Sequence, residues 1–354
     1  MKKSPLIQYG IGIDVSKSDL YVCFSGKTSC ESIKIRGTRK FSNSVSGIKK
    51  LAEWIEKHRK DKGLGLRIYL EVTGVYHEQV LFGLHERGYS VSLLMGKRVK
   101  AYKKSLGDDS KTDPRDSYAL AHMASSRKEK IWKPLSKDIL EIRALMRLRR
   151  SLITSRVRHQ NQLHAIKHSL HQFELIGDTL TELIAQAQAQ IKTLEKQALQ
   201  RVEKDTELSA KMHLIIDSLT GLGIISLLEI ICETNGFSEF RSINQLVKYA
   251  GMDIIENQSG KLTGKTRISK QGNARIRSAL YMPVLSIIRE KVDPFFPLYE
   301  RVLKRNPKIK KKAMVAVQRK LLILIFVLWK KNQAFDPKYK WNEKSQPKME
   351  VALK

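Results

Sequence analysis

Residues 7–15, with the sequence IQYGIGIDV, form an apolar, β-branched run that contains one carboxylate near its end. A nearly continuous apolar run of this length predicts a central strand that is buried on both faces. A charge in such a strand is costly unless it is paired or bound to a metal. Asp14 is therefore a candidate functional acid, and the alternative is a strand-end acid that caps a turn.

The elements after this strand predict an α/β domain. Strands are expected at 20–25, 32–36, 65–72 and 89–95, and helices at 44–60, 78–87, 97–106 and from 113 to 125. The resulting order is three strands, a helix, a strand, a helix, a strand and then helices, which matches the ribonuclease-H-like layout. Its strand–helix–strand part requires a parallel section of sheet.

Further acids follow the same logic as Asp14. Glu71 ends the predicted strand 65–72, and active sites of open α/β sheets gather at the carboxyl ends of strands. Asp113 and Asp116 lie three residues apart, on one face of the helix that starts there. Taken alone, Asp113 could be an N-cap residue before Pro114.

The four acids together predict a metal site for phosphodiester chemistry. Carboxylate-bound divalent ions polarise a phosphate and stabilise the attacking and leaving oxygens, and magnesium prefers carboxylate and water oxygens. We therefore expect Mg²⁺ (or Mn²⁺) to be bound by Asp14, Glu71, Asp113 and Asp116. Lys111 and Arg115 flank the last pair and could hold a phosphate.

Composition points to a nucleic-acid partner. The chain has 66 Lys plus Arg against 35 Asp plus Glu, a formal charge of +31, and such an excess attracts polyanions. The three cysteines give neither a C-x-x-C zinc spacing nor a disulfide framework, which fits a reduced, cytoplasmic setting. The apolar run 321–329 predicts a buried helix, because a bilayer span takes ~20 residues; no membrane association is expected.

Two long helices are predicted in the middle of the chain, at 136–172 and 179–204. Their apolar spacing indicates a coiled-coil hairpin or a dimerisation arm, and an ordinary helical subdomain is an equal alternative. His164, His168 and His171 have ligand-like spacing along the first helix. Because no acid or thiol joins them, we interpret them as a polar helix face that could touch nucleic acid.

The last third is predicted to be helical. Helices are expected at 208–219, 224–232, 245–250 and 272–289, with Lys-rich helices from 295 to 331 and a polar loop at 251–267. The Thr220–Gly223 turn resembles a helix-hairpin-helix element, in which N–H groups near Gly221 and Gly223 would bind a DNA phosphate. Arg275 and Arg277 could add backbone contacts.

The polar loop contains a Gln258-Ser259-Gly260 sequence, and on its own Ser259 is best explained as a turn serine. Ser269 and Ser278 are rivals for any catalytic role, and Ser269 could equally be a helix cap. Cations that follow Ser259 would position a phosphate and neutralise developing charge: Lys261, Lys265, Arg267 and Lys270.

Several blocks resemble a known family. GIGIDVSK (10–17), YLEVTGVY (69–76) and KTDPRDSYALA (111–121) are similar to the three blocks of the DEDD site in transposases of the insertion-sequence 110 family, which includes pilin-gene invertases. SLTGLGIISLLEI (218–230), LVKYAGM (246–252) and the stretch 257–283 are similar to that family's second domain. The usual Pro-Gly-Ile-Gly hairpin is Thr-Gly-Leu-Gly here.

The resemblance implies an architecture and a mechanism. It implies a RuvC-like catalytic domain at 1–130, coiled-coil helices at 131–205, a helical transposase domain at 206–335 and a disordered tail at 336–354. It also implies that Ser259 is a nucleophile that forms a 5′-phosphoserine intermediate. The implied partners are target and donor double-stranded DNA, a structured bridge RNA, and further copies of the chain as a dimer or tetramer.

Two other functions remain open at this point. One is a structure-specific, magnesium-dependent endonuclease that uses the four acids and no covalent serine. The other is a noncatalytic RNA-binding protein that uses the same fold as a platform.

Overall fold

A computed structural model describes residues 4–107, 112–171, 173–256, 258–259, 262–264, 266–305 and 307–337, with only the backbone at 258–259 and 262–263. The chain divides into two compact units, Met1–Pro134 and Leu135–Lys354. Lys111, Lys261 and Lys265, three of the expected phosphate contacts, lie outside the described residues.

The described residues of the first unit form a five-stranded sheet in the order β3-β2-β1-β4-β5. Its strands are β1 (Leu6–Val15), β2 (Asp19–Thr28), β3 (Ile33–Ser42), β4 (Gly65–Glu71) and β5 (Val91–Leu94). The first three strands pair antiparallel, whereas β4 pairs parallel with both β1 and β5. The predicted order of elements and the parallel section are thus confirmed.

Strand β3 is longer than the sequence pattern predicted, continuing from residue 36 to Ser42. The added segment contains Arg36, Arg39 and Lys40, all exposed. Because β3 is the edge of the sheet, it can carry charged side chains and lacks the apolar alternation by which strands are recognised.

Four helices of the first unit follow the predicted positions closely: α1 (Val45–His58), α2 (His77–His85), α3 (Gly96–Ser105) and α4 (Asp113–Ser126). Ser44 caps α1 by accepting a hydrogen bond from the Gly47 amide. The apolar face predicted for this helix is buried: Ile48, Leu51, Trp54 and Ile55.

The second unit begins with two long helices, α5 (Lys137–Lys167) and α6 (Glu174–Lys204). Their side chains pair near both ends of the contact, Arg149 Nε with Glu195 at 2.6 Å and Arg201 Nε with Glu141 at 2.9 Å, so the helices run antiparallel. The buried residues of α6 recur at intervals of seven and four: Leu180, Ala187, Ile191, Ala198 and Val202. The role of this pair as a dimerisation arm stays a prediction.

The start of α6 differs from the predicted start at residue 179. Gly177 and Asp178, which indicated the break, lie inside the helix, and the chain instead turns at 168–171. A glycine costs a helix only about 1 kcal/mol, which packing along the rest of α6 offsets.

The remaining helices are α7 (Thr206–Ser218), α8 (Ile224–Thr234), α9 (Ile243–Tyr249), α10 (Ala274–Ala279), α11 (Tyr281–Arg289), α12 (Phe295–Arg305) and α13 (Lys310–Lys331). The segment 321–329 lies in α13 with Leu321, Leu322 and Ile325 fully buried, as predicted. Of the helices in the described part of the chain, none is long and apolar enough to cross a bilayer.

Two predictions for this region were wrong. The expected loop at 251–267 contains two short ribbons, formed by β6 (Ile254–Ile255) with β9 (Arg267–Ile268) and by β7 (Gln258–Ser259) with β8 (Leu262–Thr263). Strands of two residues are too short to show a periodic pattern. The expected helix 272–289 is split at Leu280, because the Pro283 ring is incompatible with the carbonyl four residues earlier.

Candidate active site

Asp14 and Glu71 lie side by side at one edge of the sheet. Strands β1 and β4 are parallel, and Ile13 is registered with Leu70. The next residue on each strand is the acid, so the two carboxylates leave the sheet at the same end. Both side chains are partly buried.

Helix α4 lies directly against β1 because two positions of the strand lack a side chain. A Cβ atom on Gly12 would lie 2.2 Å from the Ser117 carbonyl oxygen, and one on Gly10 would lie 2.6 Å from the Ala121 carbonyl oxygen. Contacts thus move toward the N-terminus of α4 as β1 proceeds toward Asp14. The same face of the strand presents Gly10, Gly12 and Asp14, because alternate residues share a face.

A buried serine fixes this contact. Ser25 Oγ in β2 lies 2.9 Å from the Ala121 carbonyl oxygen, 2.8 Å from Ser125 Oγ and 3.0 Å from the Gly10 carbonyl oxygen. One hydroxyl therefore connects two strands with α4. The first turn of α4, with Asp113 and Asp116, is consequently directed toward the strand end that bears Asp14.

The four acids share one electrostatic environment. Burial, followed by the charges of Asp116, Asp113 and Glu71, raises the pKa of Asp14 from 3.8 to about 6. Each of these neighbours acts because like charges disfavour ionisation of a nearby carboxyl group. Carboxylates from β1, β4 and α4, which are distant in sequence, thus converge at one end of the sheet.

Two residues at this site were missed by sequence reasoning, Lys103 and Gly96 of α3. Lys103 Nζ forms a hydrogen-bonded ion pair with Asp116, although the lysine is only 7% exposed. A Cβ on Gly96 would lie 2.4 Å from Glu71 Oε1, so the helix start makes room for that carboxylate. The available signal was the spacing of Lys103 with Val99 and Tyr102, which places a lysine on the buried face of α3.

The donor set has the chemistry that a divalent cation requires. Carboxylate oxygens suit Mg²⁺ or Mn²⁺, and the mutual repulsion that raises the pKa of Asp14 is what a cation would relieve. Among the residues that the structure describes, no three His, Cys, Asp or Glu side chains are arranged to bind a metal ion. The Asp116 carboxylate is instead paired with Lys103, and Arg115 is exposed on the adjoining turn.

Ser259 lies on a separate structural feature, the β7–β8 ribbon, in the second unit. Its backbone pairs with Leu262, and Gln258 pairs with Thr263. The outer ladder of the same segment pairs Ile254 with Ile268 and Ile255 with Arg267. We call residues 254–268 the serine ribbon.

Comparison with known proteins agrees with these two sites. Residues 11–172 match the transposase model DEDD_Tnp_IS110, and residues 213–300 match the model of the transposase IS116/IS110/IS902 family. The first match spans all four acids, and the second spans the serine ribbon. The chain belongs to the IS110 family of transposases.

Relatives of the transposase support the same assignment. The pilin gene-inverting proteins of Moraxella bovis and Moraxella lacunata are each 26% identical over 332 residues, which is 92% of this chain and 97% of theirs. The transposase is accordingly a DNA transposase or recombinase.

Two crystal structures of Thermus thermophilus RuvC also align with the transposase. One covers 32% of this chain and 92% of RuvC at 15% identity and a TM-score of 0.26. The other, a complex with a Holliday junction substrate, covers 35% and 100% at 14% identity and a TM-score of 0.27.

Ser269, the rival of Ser259, has a structural contact in the transposase. Its hydroxyl donates to an Asp253 carboxylate oxygen, and its amide donates to the Asp253 carbonyl oxygen at 2.9 Å. The interpretation of Ser269 as a helix cap was wrong, because Asn273 caps α10. Ser269 instead closes the base of the serine ribbon.

The expected nucleic-acid contacts of the second unit occupy different positions. Gly221, with φ of +91°, turns the chain between α7 and α8, and Gly223 is the N-cap of α8. Arg277 Nη1 donates to the Ala250 carbonyl oxygen at 2.8 Å, which holds α10 against the end of α9. Arg267 and Lys270 are exposed on and beside the serine ribbon.

Histidines of α5 do not form a metal site. The His164 and His168 rings lie 4.4 Å apart. Within the described ranges no third His, Cys, Asp or Glu completes a metal-binding group with them. The arrangement agrees with a polar helix face.

Proposed function

We propose that the transposase cuts and rejoins DNA strands with two cooperating sites. Asp14, Glu71, Asp113 and Asp116 hold divalent metal, and Ser259 is the nucleophile. The observation that carries the proposal is the raised pKa of Asp14, whose causes include the other three acids. Four carboxylates held together in this way, in a member of a transposase family, fit phosphoryl transfer.

The acidic site supplies charge stabilisation. Bound magnesium or manganese would neutralise charge on the phosphate that reacts. Asp14 and Glu71 are anchored by paired strands, and Asp116 is positioned by Lys103. Rigid placement of this kind lowers the reorganisation needed during the reaction.

The covalent step is an exchange of phosphate ester bonds. The Ser259 oxygen attacks a DNA phosphorus atom, the bond from phosphorus to the 3′ oxygen breaks, and the serine proton is transferred so that a 3′ hydroxyl is released. The phosphate stays joined to Ser259 through its 5′ strand. A 3′ hydroxyl of the partner strand then attacks the phosphoserine, which restores the serine hydroxyl without net hydrolysis.

Basic residues of the serine ribbon would hold the phosphate during this step. Arg267 and Lys270 are exposed there, and Lys261 and Lys265 belong to the same stretch of sequence. Because a serine hydroxyl is a poor nucleophile without activation, neutralisation of the phosphate by these cations would favour the attack.

The proposed partners are target and donor DNA, a structured bridge RNA from the same genetic element, and further copies of the chain. A net charge of +31 gives the chain capacity for polyanions of both kinds. The α5–α6 pair, with Leu170 92% exposed and Phe173 62% exposed where the two helices join, offers an apolar end suited to pairing with a second copy.

The decisive experiment is covalent trapping. Wild-type protein, labelled DNA, RNA from the flanking element and Mg²⁺ are mixed, denatured and separated to detect a protein–DNA adduct. Ser259→Ala should give no adduct, while Ser278→Ala should behave as wild type. An adduct that persists in Ser259→Ala would refute the serine assignment, and cleavage without any adduct would favour a water-dependent nuclease.

The acidic site is tested by a second pair of variants. Asp14→Ala should abolish strand cleavage and leave DNA and RNA binding close to wild type. Asp217→Ala serves as the control, because this acid is 74% exposed on α7. Unchanged cleavage by Asp14→Ala would remove the metal-site assignment.

A further inference from the structure

Helix α8 buries two carboxylates that the proposed chemistry does not use. Glu229 and Glu233 lie one helical turn apart, and each is only 6% exposed. Ionised groups at such depth require compensation by cations or hydrogen bonds. Their partners come from α5 and α10, on either side of α8.

Glu233 is fully engaged. Arg147 donates to it from Nε at 2.7 Å and from Nη2 at 2.9 Å, and Asn273 Nδ2 donates at 2.8 Å. Arg275 Nε lies 3.8 Å away. Burial alone would raise the pKa of Glu233, but the hydrogen bonds from Arg147 and Asn273 hold it below its usual range.

Glu229 has looser contacts. Arg150 Nη1 lies 3.6 Å from Glu229 Oε1, and Arg149 Nη1 lies 3.9 Å from it. Arg149 is mainly committed to Glu195, at 2.6 Å. Burial raises the pKa of Glu229 in spite of the nearby arginines.

Cations outnumber carboxylates in this part of the fold. The carboxylates are Glu195, Glu229 and Glu233, and the guanidinium groups around them are Arg143, Arg147, Arg149, Arg150 and Arg275. Burial and the charge of Arg147 lower the pKa of Arg143, as expected where positive charge is in excess. A network that served stability alone would gain from matched charges.

The surplus charge faces solvent. The side chain of Arg147 is 42% exposed, that of Arg150 30% and that of Arg275 50%, while the carboxylates behind them are buried. We call Arg143, Arg147, Arg150 and Arg275 the arginine cluster. Guanidinium groups held from behind by carboxylates are pre-oriented, which reduces the entropy lost when they bind phosphate.

The arginine cluster is tied to the base of the serine ribbon. Asn273, which bonds Glu233, also donates its amide to the Tyr249 carbonyl oxygen at 2.7 Å, and the Lys270 amide donates to Gly251 at 3.0 Å. The connection from the ribbon to α10 is therefore fixed on α8 and α9. A phosphate on the cluster would belong to a strand that runs past this ribbon.

We propose that the arginine cluster is a binding site for backbone phosphates of duplex DNA, held in shape by Glu229 and Glu233. Duplex DNA is favoured because the connection through Asn273 places the site next to the segment that carries Ser259. The inference rests on the proposed function for this choice of strand, but binding itself requires no catalysis.

The test measures the salt dependence of DNA binding by the full-length protein. Binding to a fluorescein-labelled DNA duplex is followed by anisotropy over a KCl series, with EDTA present so that no cleavage occurs. Arg150→Gln and Arg275→Gln, singly and together, remove charge but leave the Arg147–Glu233 pair in place. Arg289→Gln, at a site 76% exposed outside the cluster, is the matched control.

Each lost phosphate contact should reduce the slope of log affinity against log salt by ~0.9. The double variant should therefore lose about twice the slope change of either single variant, and Arg150→Lys with Arg275→Lys should retain most of the slope. Arg289→Gln should match wild type. Equal slopes for wild type and the double variant would overturn the proposal, as would a loss confined to a folded RNA probe.

A second measurement uses the wild-type chain and so does not depend on the folding of variants. Duplex DNA should slow the modification of Arg150 and Arg275 by phenylglyoxal, read by mass spectrometry, and leave Arg289 unaffected. Lack of protection would contradict the proposal. Failure of the serine mechanism would appear separately, as the absence of a covalent adduct while the slopes and the protection behave as described.

Discussion

Gly12 in β1 and Ser117 in α4 approach so closely that a Cβ atom on Gly12 would lie 2.2 Å from the Ser117 carbonyl oxygen. Real Cβ atoms do not tolerate such a contact with backbone. The absence of a side chain at this position is therefore what lets α4 reach the strand that ends at Asp14. The acidic site depends on this contact as much as on the acids themselves.

Gly12→Val is expected to destabilise the protein and to abolish cleavage, because α4 must move away from β1. Overpacking typically costs about 1–3 kcal/mol, and here the obstruction is backbone. Gly177→Ala in α6 is the control: a Cβ there meets nothing within 4 Å, so stability should stay level or rise by about 0.5–1 kcal/mol. Chemical denaturation and a strand-cleavage assay measure both effects. Wild-type stability of Gly12→Val would contradict the close contact.

Asp14→Asn is expected to stabilise the metal-free protein at neutral pH. The pKa of Asp14 is about 6 in the folded protein against 3.8 ordinarily. The folded state thus binds the proton more tightly, so the favourable contribution is complete below pH 3.8 and is lost as pH rises through about 6. Allowing for solvent screening, the gain from Asn at pH 8 should be about 1–2 kcal/mol.

The measurement for Asp14→Asn is thermal unfolding in EDTA between pH 4 and pH 8. The advantage over wild type should shrink as the pH falls and be small at pH 4. Asp217→Asn, which changes an exposed acid, should show no such trend. A constant difference across the range would contradict the shared environment of the four acids.

Lys103→Met is expected to lower the stability of the metal-free protein, because it leaves Asp116 beside other carboxylates without its cation. Removing one partner of a buried ion pair costs about 3–5 kcal/mol. Added Mg²⁺ should restore more of the melting temperature in this variant than it adds to wild type, since the metal then supplies the missing positive charge. Lys104→Met, at an exposed position of the same helix, should change neither value. Equal Mg²⁺ responses would argue against the role given to Lys103.

Ser269→Ala is expected to keep the covalent adduct and to lose about 1–2 kcal/mol of stability with the hydrogen bond to Asp253. Adduct trapping and denaturation of the same preparations measure the two effects. Should the adduct vanish in Ser269→Ala and persist in Ser259→Ala, the roles of the two serines would be reversed.

Local patterns were sufficient for most of the architecture. The apolar run 7–15, the amphipathic helix after Ser44 and the acids at strand and helix ends predicted the α/β unit and its acidic residues, because burial of one face leaves a periodic trace. The ribbons at 254–268 and the break at Leu280 escaped, since a two-residue strand has no period and the effect of Pro283 falls on residues before it.

Contacts between distant segments left no such trace. Lys103 reads as one more cation of a basic helix until α3 and α4 are folded together and its ammonium meets Asp116. Glu229 and Glu233 read as acids within an apolar helix until arginines of α5 and α10 surround them. Side-chain charge is written in the chain, but which charges meet depends on packing, because electrostatic energy is set by distance and burial in space.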